Sequence, residues 1–187
     1  MSTHNSTVDV AYVAGFAALI CVFAFVAIPI GAAGVPIVLQ NAVIILTALI
    51  VGARRAVLAT ALFLTVGLAL PVLAGGRTTL VALAGPTAGY LLGYLLAAAV
   101  AGALAYRALP RARGSQLTWF TAAGVAGLAA QYLCGALGLV LRTDLSLAAA
   151  AAAQLPFLAV DAAKVAAMVL IALGVHAAIP DLLPRRP

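Results

Sequence analysis

The sequence predicts an all-α integral membrane protein with six transmembrane helices. Of its 187 residues, 66% are hydrophobic and only 7% are charged, whereas about a quarter are charged in an ordinary soluble domain. Ten Lys or Arg and four Asp are too few to cover a water-soluble globule of 18.6 kDa. A crossing needs about 20 apolar residues, so the length allows six crossings and little else. We therefore expect residues 1–187 to form a single transmembrane domain.

Six apolar segments supply the predicted helices. They cover residues 10–30, 37–51, 56–70, 86–106, 116–141 and 157–179. No Lys or Arg precedes the first segment, so we expect it to remain as a span and not to be cleaved as a signal peptide. Turn-prone stretches separate the segments, including the break at 52–55 and the loop at 72–85. Pro86 predicts the start of the fourth helix, because proline is favoured in the first turn.

The basic residues predict the orientation of the chain. The net charge of +6 and the pI near 10.0 indicate nucleic-acid binding in a soluble protein, but here the basic side chains lie mainly at segment ends. We interpret them as topology signals beside membrane lipid, because Lys and Arg accumulate in cytoplasmic loops. Both termini are therefore predicted to be cytoplasmic. One side carries Arg54, Arg55, Arg107, Arg111, Arg113, Arg185 and Arg186, and the other carries Arg77 and Arg142.

Asp161 and Lys164 are ionisable residues inside the sixth apolar segment. Such a residue is costly within a span and usually marks a function or an internal ion pair. Three positions apart on a helix, the two side chains share a face. One interpretation is that they neutralise each other and pin the helix to its neighbours. The other is an outward-opening ligand site, in which Asp161 accepts from paired N–H groups and Lys164 donates to a carboxylate.

Enzymatic chemistry is not predicted for this chain. The sequence contains no glutamate, and its histidines, His4 and His176, suggest no acid–base pair. The phosphate-binding pattern GxxxxGK[ST] is absent, so transport driven by ATP requires an ATPase on another polypeptide. We expect no cofactor and no metal. Cys21 and Cys134 are each isolated in an apolar stretch and are interpreted as packing residues.

Two pairs of small residues are spaced for close helix approach. Gly89 and Gly93 form a GxxxG pair, and Ala14 and Ala18 form a second small-xxx-small pair. In a chain rich in Ala and Gly such pairs also arise by chance. Internal packing is favoured over partner docking for each pair taken alone.

Several sequence blocks together resemble the BioY family, the biotin-specific substrate-binding S components of energy-coupling factor (ECF) vitamin transporters. The blocks are V-P-I-V-L-Q at 35–40, L-P-V-L-A-G-G at 70–76, G-P-T-A-G-Y-L-L-G-Y at 85–94, and P-F-L at 156–158 followed by Asp161 and Lys164. They are close to the family's V-P-I-T-L-Q, G-P-T-G-G-Y-L-x-G-F and P-F-x-x-x-D-x-x-K patterns. The resemblance covers most of the chain, and G-P-T-x-G-Y-L is its most specific element.

The resemblance implies the fold, function and partners. It implies an ECF S-component-like bundle in the bacterial cytoplasmic membrane that captures biotin from the outer side. Uptake would be completed by a transmembrane coupling protein and two cytoplasmic ATPase subunits. Ala14 and Ala18 match the small-residue feature through which the first helix of S components contacts the coupling protein.

The resemblance also implies a set of site residues. Asp161 would accept from the ureido N–H groups of biotin, and Lys164 would add polar contacts or charge balance. The remaining candidate binding residues are Gln40, Gly75, Gly76, Arg77, Thr87, Tyr90 and Gln131. For several of these residues a structural role stays open. Gln40 is also consistent with a surface amide, and Gln131 and Tyr132 with a bridge between helices. Arg77 is also consistent with a solvated loop charge, and Tyr90 with an interfacial anchor.

Two departures from the family pattern bear on the loop contacts. Arg77-Thr78-Thr79 stands where the family often continues with glycines, and Ala88 replaces a glycine. Two other functions also remain possible, namely an S component for another small vitamin, or a structural membrane subunit without a ligand.

Overall fold

The computed structural model describes residues 6–28 and 37–183. Within these residues the helices are α1 Ser6–Val22, α2 Gln40–Val66, α3 Thr79–Ala84, α4 Ala88–Ala105, α5 Arg113–Arg142, α6 Leu147–Ala152 and α7 Leu155–Ala178. Short 3-10 turns follow α1 at Phe23–Phe25 and α7 at Pro180–Leu182. Two short strands, β1 Ala27–Ile28 and β2 Ile37–Val38, pair antiparallel. The predicted all-α class is confirmed.

The number of separate spans differs from the prediction. Five helices of the described residues are long and apolar enough to cross a membrane, where six were expected. The predicted second and third spans, 37–51 and 56–70, are joined in α2, whose backbone leaves helical geometry only at Gly52 (φ 78°, ψ 175°). A positive φ of this kind suits glycine, so one residue makes the break that was predicted over 52–55.

The two arms of α2 fold back on each other at Gly52. A straight helix of 27 residues would place its ends about 40 Å apart. Gln40, the first residue of α2, instead donates its side-chain Nε2 to the main-chain oxygen of Val72 at 2.9 Å, although Val72 lies beyond the far end of the helix. The six apolar segments are therefore present, with the second and third joined as a helical hairpin.

The first arm of α2 forms the centre of the bundle. Every residue from Gln40 to Gly52 is buried, as expected for a helix that is apolar on all faces. Helices α1, α4, α5 and α7 pack around α2. The end of the predicted first span and the turn at 29–36 lie outside the described residues.

Helices α4 and α5 are in close backbone contact. A Cβ atom added to Gly89 would lie 2.7 Å from Cα of Gly138, and one added to Gly93 would lie 3.0 Å from Cα of Gln131. The Gly89–Gly93 pair therefore serves internal packing. This contact fixes the start of α4 against the second half of α5.

One end of the bundle is basic. Asp9 on α1 pairs with Arg54 and Arg55 after the break in α2, and the Arg107 guanidinium lies 5.5 Å from the ring centroid of Trp119. Tyr106 donates its hydroxyl to Ile50 O at 3.0 Å. Arg185 and Arg186 lie outside the described residues. The opposite end contains the starts of α2, α4 and α7.

The start of α4 also differs from the prediction. Pro86 lies before α4, which begins at Ala88 after Thr87 as its N-cap, so the proline is not in the first turn. The alanine-rich stretch after Ser146 forms α6, and the Ser146 Oγ accepts from Ala149 N at 3.2 Å.

Candidate functional site

A polar cavity lies at the end of the bundle opposite the basic end. The space open to the centre of a water molecule is about 60 Å³, several times the roughly 10–15 Å³ that one water needs. Helices α4, α5 and α7, the start of α2 and the loop before α3 supply its walls. The lining residues are Val38, Gln40, Asn41, Leu73, Ala74, Arg77, Ala82, Thr87, Tyr90, Leu91, Tyr94, Gln131, Tyr132, Gln154, Phe157, Asp161 and Lys164.

Asp161 and Lys164 form a buried ion pair in this cavity. Lys164 Nζ lies 2.6 Å from Asp161 Oδ1, and the two residues are only 8% and 4% exposed. The i, i+3 spacing on α7 brings the side chains together, as predicted from the sequence. Lys164 Nζ also donates to the main-chain oxygen of Val38 at 2.6 Å and to Asn41 Oδ1 at 3.4 Å, so its charge is held by three oxygen acceptors.

Two further side chains bind the Asp161 carboxylate. The Tyr132 hydroxyl on α5 donates to Oδ2 at 2.7 Å, and Asn41 Nδ2 on α2 donates to Oδ1 at 3.4 Å. An ionised carboxylate accepts about four hydrogen bonds, and Lys164 supplies one more donor to Oδ1. One acceptor position of Asp161 therefore remains for a ligand N–H group.

Gln40 and Gln131 line the cavity and also join chain segments. Gln40 Nε2 donates to Ile20 O at 3.0 Å and to Val72 O at 2.9 Å, so both of its amide hydrogens are used. Gln131 Nε2 donates to Asn41 O at 3.3 Å. These contacts tie α1, α2 and α5 to the cavity wall. Gln131 thus has the bridging role that the sequence left open beside a binding role, and Gln40, at 1% exposure, is not the surface amide that was its alternative.

The loop before α3 contributes Arg77 to the cavity. Leu73 and Arg77 form an isolated β-bridge, and Gly75 and Gly76 turn the chain between them at φ 76° and 67°. Both glycines are exposed at the tip and are not among the lining residues. They shape the turn, as left-handed backbone favours glycine. Both glycines were predicted as binding residues, and neither of them lies in the cavity wall.

Arg77 and Thr87 are brought together at the start of α4. Arg77 Nε donates to Ala74 O at 3.1 Å, and its terminal NH1 donates to Thr87 Oγ1 at 3.4 Å. Arg77 is partly exposed and Thr87 is buried. A guanidinium has five N–H donors, so most of its donor capacity is left after these two contacts. Arg77 is therefore a lining cation and not a purely solvated loop charge.

Tyr90 and Gln154 form a second polar contact across the cavity. The Tyr90 hydroxyl on α4 donates to Gln154 Oε1 at 2.7 Å. Gln154 is the N-cap residue of α7 and is 5% exposed. Tyr90 points into the protein and binds this residue, a contact that a purely interfacial aromatic anchor would lack.

The cavity wall carries polar groups at two separate positions along α7 and apolar side chains besides. Asp161 and Gln154 lie seven residues apart on α7, which corresponds to about 10 Å along the helix on nearly the same face. The apolar lining includes Leu73, Leu91 and Phe157, each 5% exposed or less. Such a pocket suits a compact ligand with hydrogen-bonding groups at both ends and an apolar body between them.

Part of the polar lining was not predicted from the sequence. Asn41 and Gln154 were not singled out, and Tyr132 was mentioned without a place among the candidate binding residues. Each is a polar side chain beside or within an apolar segment, and that was the available signal. Their convergence on one cavity depends on contacts among three helices.

The predicted docking pair lies away from the cavity. Ala14 and Ala18 are both exposed on α1, and only 17% of the α1 span is buried. Cys21 and Cys134 are both partly buried free thiols. The exposed face of α1 leaves Ala14 and Ala18 accessible to lipid or to another helix.

Comparison with known proteins matches residues 1–181 to the BioY family. The "Biotin transporter BioY" of Rhizobium etli is 32% identical over 186 residues, covering 97% of this chain and 99% of that protein. The "Biotin transporter BioY" of Rhodobacter capsulatus is 37% identical over 170 residues, with 84% and 87% covered. A protein of the same name from Thermotoga maritima is 36% identical over 159 residues, with 84% and 89% covered.

The fold also matches a solved structure. The crystal structure of the S-component for biotin from an ECF-type ABC transporter superposes with a TM-score of 0.82 and 24% sequence identity, covering 95% of both chains. This match shows a shared S-component fold.

Proposed function

Because this chain belongs to the BioY family, we propose that it captures biotin and delivers it into the cell as the membrane-embedded S component of an ECF-type transporter. The observation that carries the proposal is the buried Asp161–Lys164 pair in the wall of a cavity. An ion pair that served only to join helices would not need a lined space beside it.

The polar groups at two positions in the cavity fit the two polar ends of biotin. The free acceptor position on Asp161 suits a ureido N–H, while Lys164 balances the charge of the Asp161 carboxylate. Arg77 and Thr87 at the start of α4 suit the carboxylate of the valerate tail, since main-chain N–H groups at a helix N-terminus also favour an anion. The apolar lining accommodates the ring and the chain between these groups.

The distribution of arginines supports an outward-facing cavity. Arg54, Arg55 and Arg107 lie at the end of the bundle opposite the cavity, and Arg113 begins the helix that carries Trp119. By the positive-inside rule this end faces the cytoplasm. The cavity then opens toward the outer side, and both termini are cytoplasmic.

Energy for uptake comes, in this proposal, from partner subunits. The sequence has no phosphate-binding loop, so ATP hydrolysis is assigned to two cytoplasmic ATPases. A transmembrane coupling protein links them to this chain. The exposed Ala14 and Ala18 on α1 provide a flat contact for a helix of that coupling protein.

Biotin binding to the purified chain in nanodiscs, measured by calorimetry, tests the proposal. We expect tight binding of biotin and none of riboflavin or thiamine. Asp161→Asn and Lys164→Ala should each weaken binding strongly, whereas the control Asp144→Asn changes an exposed carboxylate and should leave it unchanged. A folded wild-type chain that binds riboflavin or thiamine would indicate another vitamin. One that binds none of the three would favour a structural subunit.

A further inference from the structure

Gln154 carries a polar group that the protein itself leaves unsatisfied. Its Nε2 atom is buried without a hydrogen-bond partner, a state it shares in the described residues only with Nδ1 of His176. The other half of the amide is occupied, because Oε1 accepts from the Tyr90 hydroxyl at 2.7 Å. Buried amide groups in folded proteins are normally paired. A lone donor in a cavity wall therefore points to a missing acceptor.

The Tyr90 hydroxyl occupies the oxygen half of the Gln154 amide. A side-chain amide is planar and presents its oxygen and its nitrogen in different directions. In the structure Oε1 accepts from the Tyr90 hydroxyl at 2.7 Å, so Nε2 is the atom of the amide that is left without a partner. The Gln154 residue is only 5% exposed and lines the cavity, so bulk water does not serve its Nε2 group.

The position of Gln154 assigns it to the end of the cavity away from Asp161. Seven residues of α7 separate the two, or about 10 Å along the axis. Tyr90 lies one helical turn after Thr87, which binds the Arg77 guanidinium. The amide donor and the cationic donors thus approach the cavity from neighbouring turns. Asp161 is the only carboxylate among the lining residues of the described chain. The Gln154 amide and the Arg77 guanidinium therefore favour a ligand oxygen that carries negative charge.

We propose that Gln154 is a ligand-binding residue whose Nε2 donates to the carboxylate of the bound acid, and that Tyr90 is the positioning residue that aims this donor. The inference rests on the proposed function, since it assigns a residue to the tail end of the biotin site. Gln154 selects for an acidic tail, because a ligand without an acceptor leaves the buried amide unpaired.

A comparison of two ligands tests the role of Gln154. The ligands are biotin and a biotin analogue whose carboxyl group is replaced by a methyl group, titrated into the full-length chain in nanodiscs. Gln154→Leu should weaken biotin binding by about tenfold or more, as expected for loss of a hydrogen bond to a charged group. The same substitution should leave binding of the methyl analogue within about threefold of the wild type.

Gln154→Glu provides a second variant that keeps the contact with Tyr90. A glutamate oxygen accepts from the Tyr90 hydroxyl as the amide oxygen does, so the local packing is retained. The new carboxylate repels the ligand carboxylate, and we expect a larger loss of biotin affinity than in Gln154→Leu. The methyl analogue should again be little affected. Gln116→Leu, which changes a buried glutamine of α5 outside the cavity lining, is the matched control for both variants.

The role of Tyr90 is tested in a double-mutant cycle. Tyr90→Phe should weaken biotin binding several-fold in the wild-type background and have no further effect in Gln154→Leu, because the two residues act through one contact. Equal losses for biotin and its methyl analogue, or unchanged biotin affinity in folded Gln154→Leu and Gln154→Glu, would overturn the inference while leaving biotin capture intact. Failure of the wild type to bind biotin would overturn the proposed function and, with it, this inference.

Discussion

Lys164 Nζ donates to the main-chain oxygen of Val38 at 2.6 Å, so the basic side chain inside α7 is fastened to the strand that precedes α2. The same amino group is 2.6 Å from Asp161 Oδ1. Lys164 therefore joins the site carboxylate to the chain segment leading into the central helix. Structure and ligand binding depend on the same group, and substitutions must be chosen to separate them.

Removal of Lys164 alone should lower the stability of the protein more than neutralisation of both Asp161 and Lys164. In Lys164→Ala the Asp161 carboxylate stays buried without a counter-charge, and breaking a buried pair in this way costs about 3–5 kcal/mol. The double variant Asp161→Asn with Lys164→Gln leaves no buried charge and should unfold closer to the wild type, although biotin binding is lost. Thermal unfolding in nanodiscs measures the difference. A double variant as unstable as Lys164→Ala would contradict this account.

Gly52, the single glycine of α2, should not tolerate a side chain. Its φ of 78° and ψ of 175° lie in a region open almost only to glycine, and an added Cβ would lie 2.8 Å from the Tyr106 ring. Gly52→Ala should therefore lower stability by about 1–3 kcal/mol. Gly174→Ala on α7 is the control, because its Cβ meets nothing within 4 Å. Thermal unfolding should show a loss for Gly52→Ala and none for Gly174→Ala; similar melting of both variants would exclude strain at the break.

Much of the fold follows from the apolar segments. Helix α7, Leu155–Ala178, matches the predicted 157–179, and α5, Arg113–Arg142, extends the predicted 116–141 by a turn or less at each end. Lipid exposure demands a long apolar run with its backbone bonded internally, and such runs are visible in the sequence. Hydropathy predicts the two arms of α2 as separate segments, but it does not show that a single residue, Gly52, makes the break between them.

The candidate site was only partly predictable for a related reason. Asp161 and Lys164 stand out because charge inside a span is rare, and their i, i+3 spacing is local. Asn41 reaches the cavity through the packing of α2 against α7, which sequence spacing does not encode. Gln154 lies seven residues before Asp161 on nearly the same face of α7, and that spacing was the signal available for it. Gly75 is predicted as a binding residue from the family resemblance; its positive φ shows that it also makes a turn at this position.

Stability should fall at alkaline pH through Tyr106. Burial raises the pKa of this residue from 10.0 to about 12, because the charged phenolate loses its hydration there. Its contribution is therefore complete below about pH 10 and is lost as the pH rises through about 12, with each pKa unit worth about 1.4 kcal/mol. The free energy of unfolding, measured between pH 9 and pH 12, should fall less steeply in Tyr106→Phe than in the wild type. Parallel profiles for the two proteins would rule out this contribution.

Ala18→Trp should separate biotin capture from biotin uptake. Ala18 is exposed on α1 and lies outside the cavity lining, so an indole there leaves the pocket unchanged but blocks close approach of a helix. We expect biotin affinity within about twofold of the wild type and strongly reduced uptake in cells that contain the coupling protein and the ATPases. Leu133→Trp, on the exposed face of α5 at 61% exposure, is the control for a bulky lipid-facing side chain and should retain uptake. Loss of biotin binding in a folded Ala18→Trp protein, or normal uptake by it, would show that this face of α1 is not the docking surface.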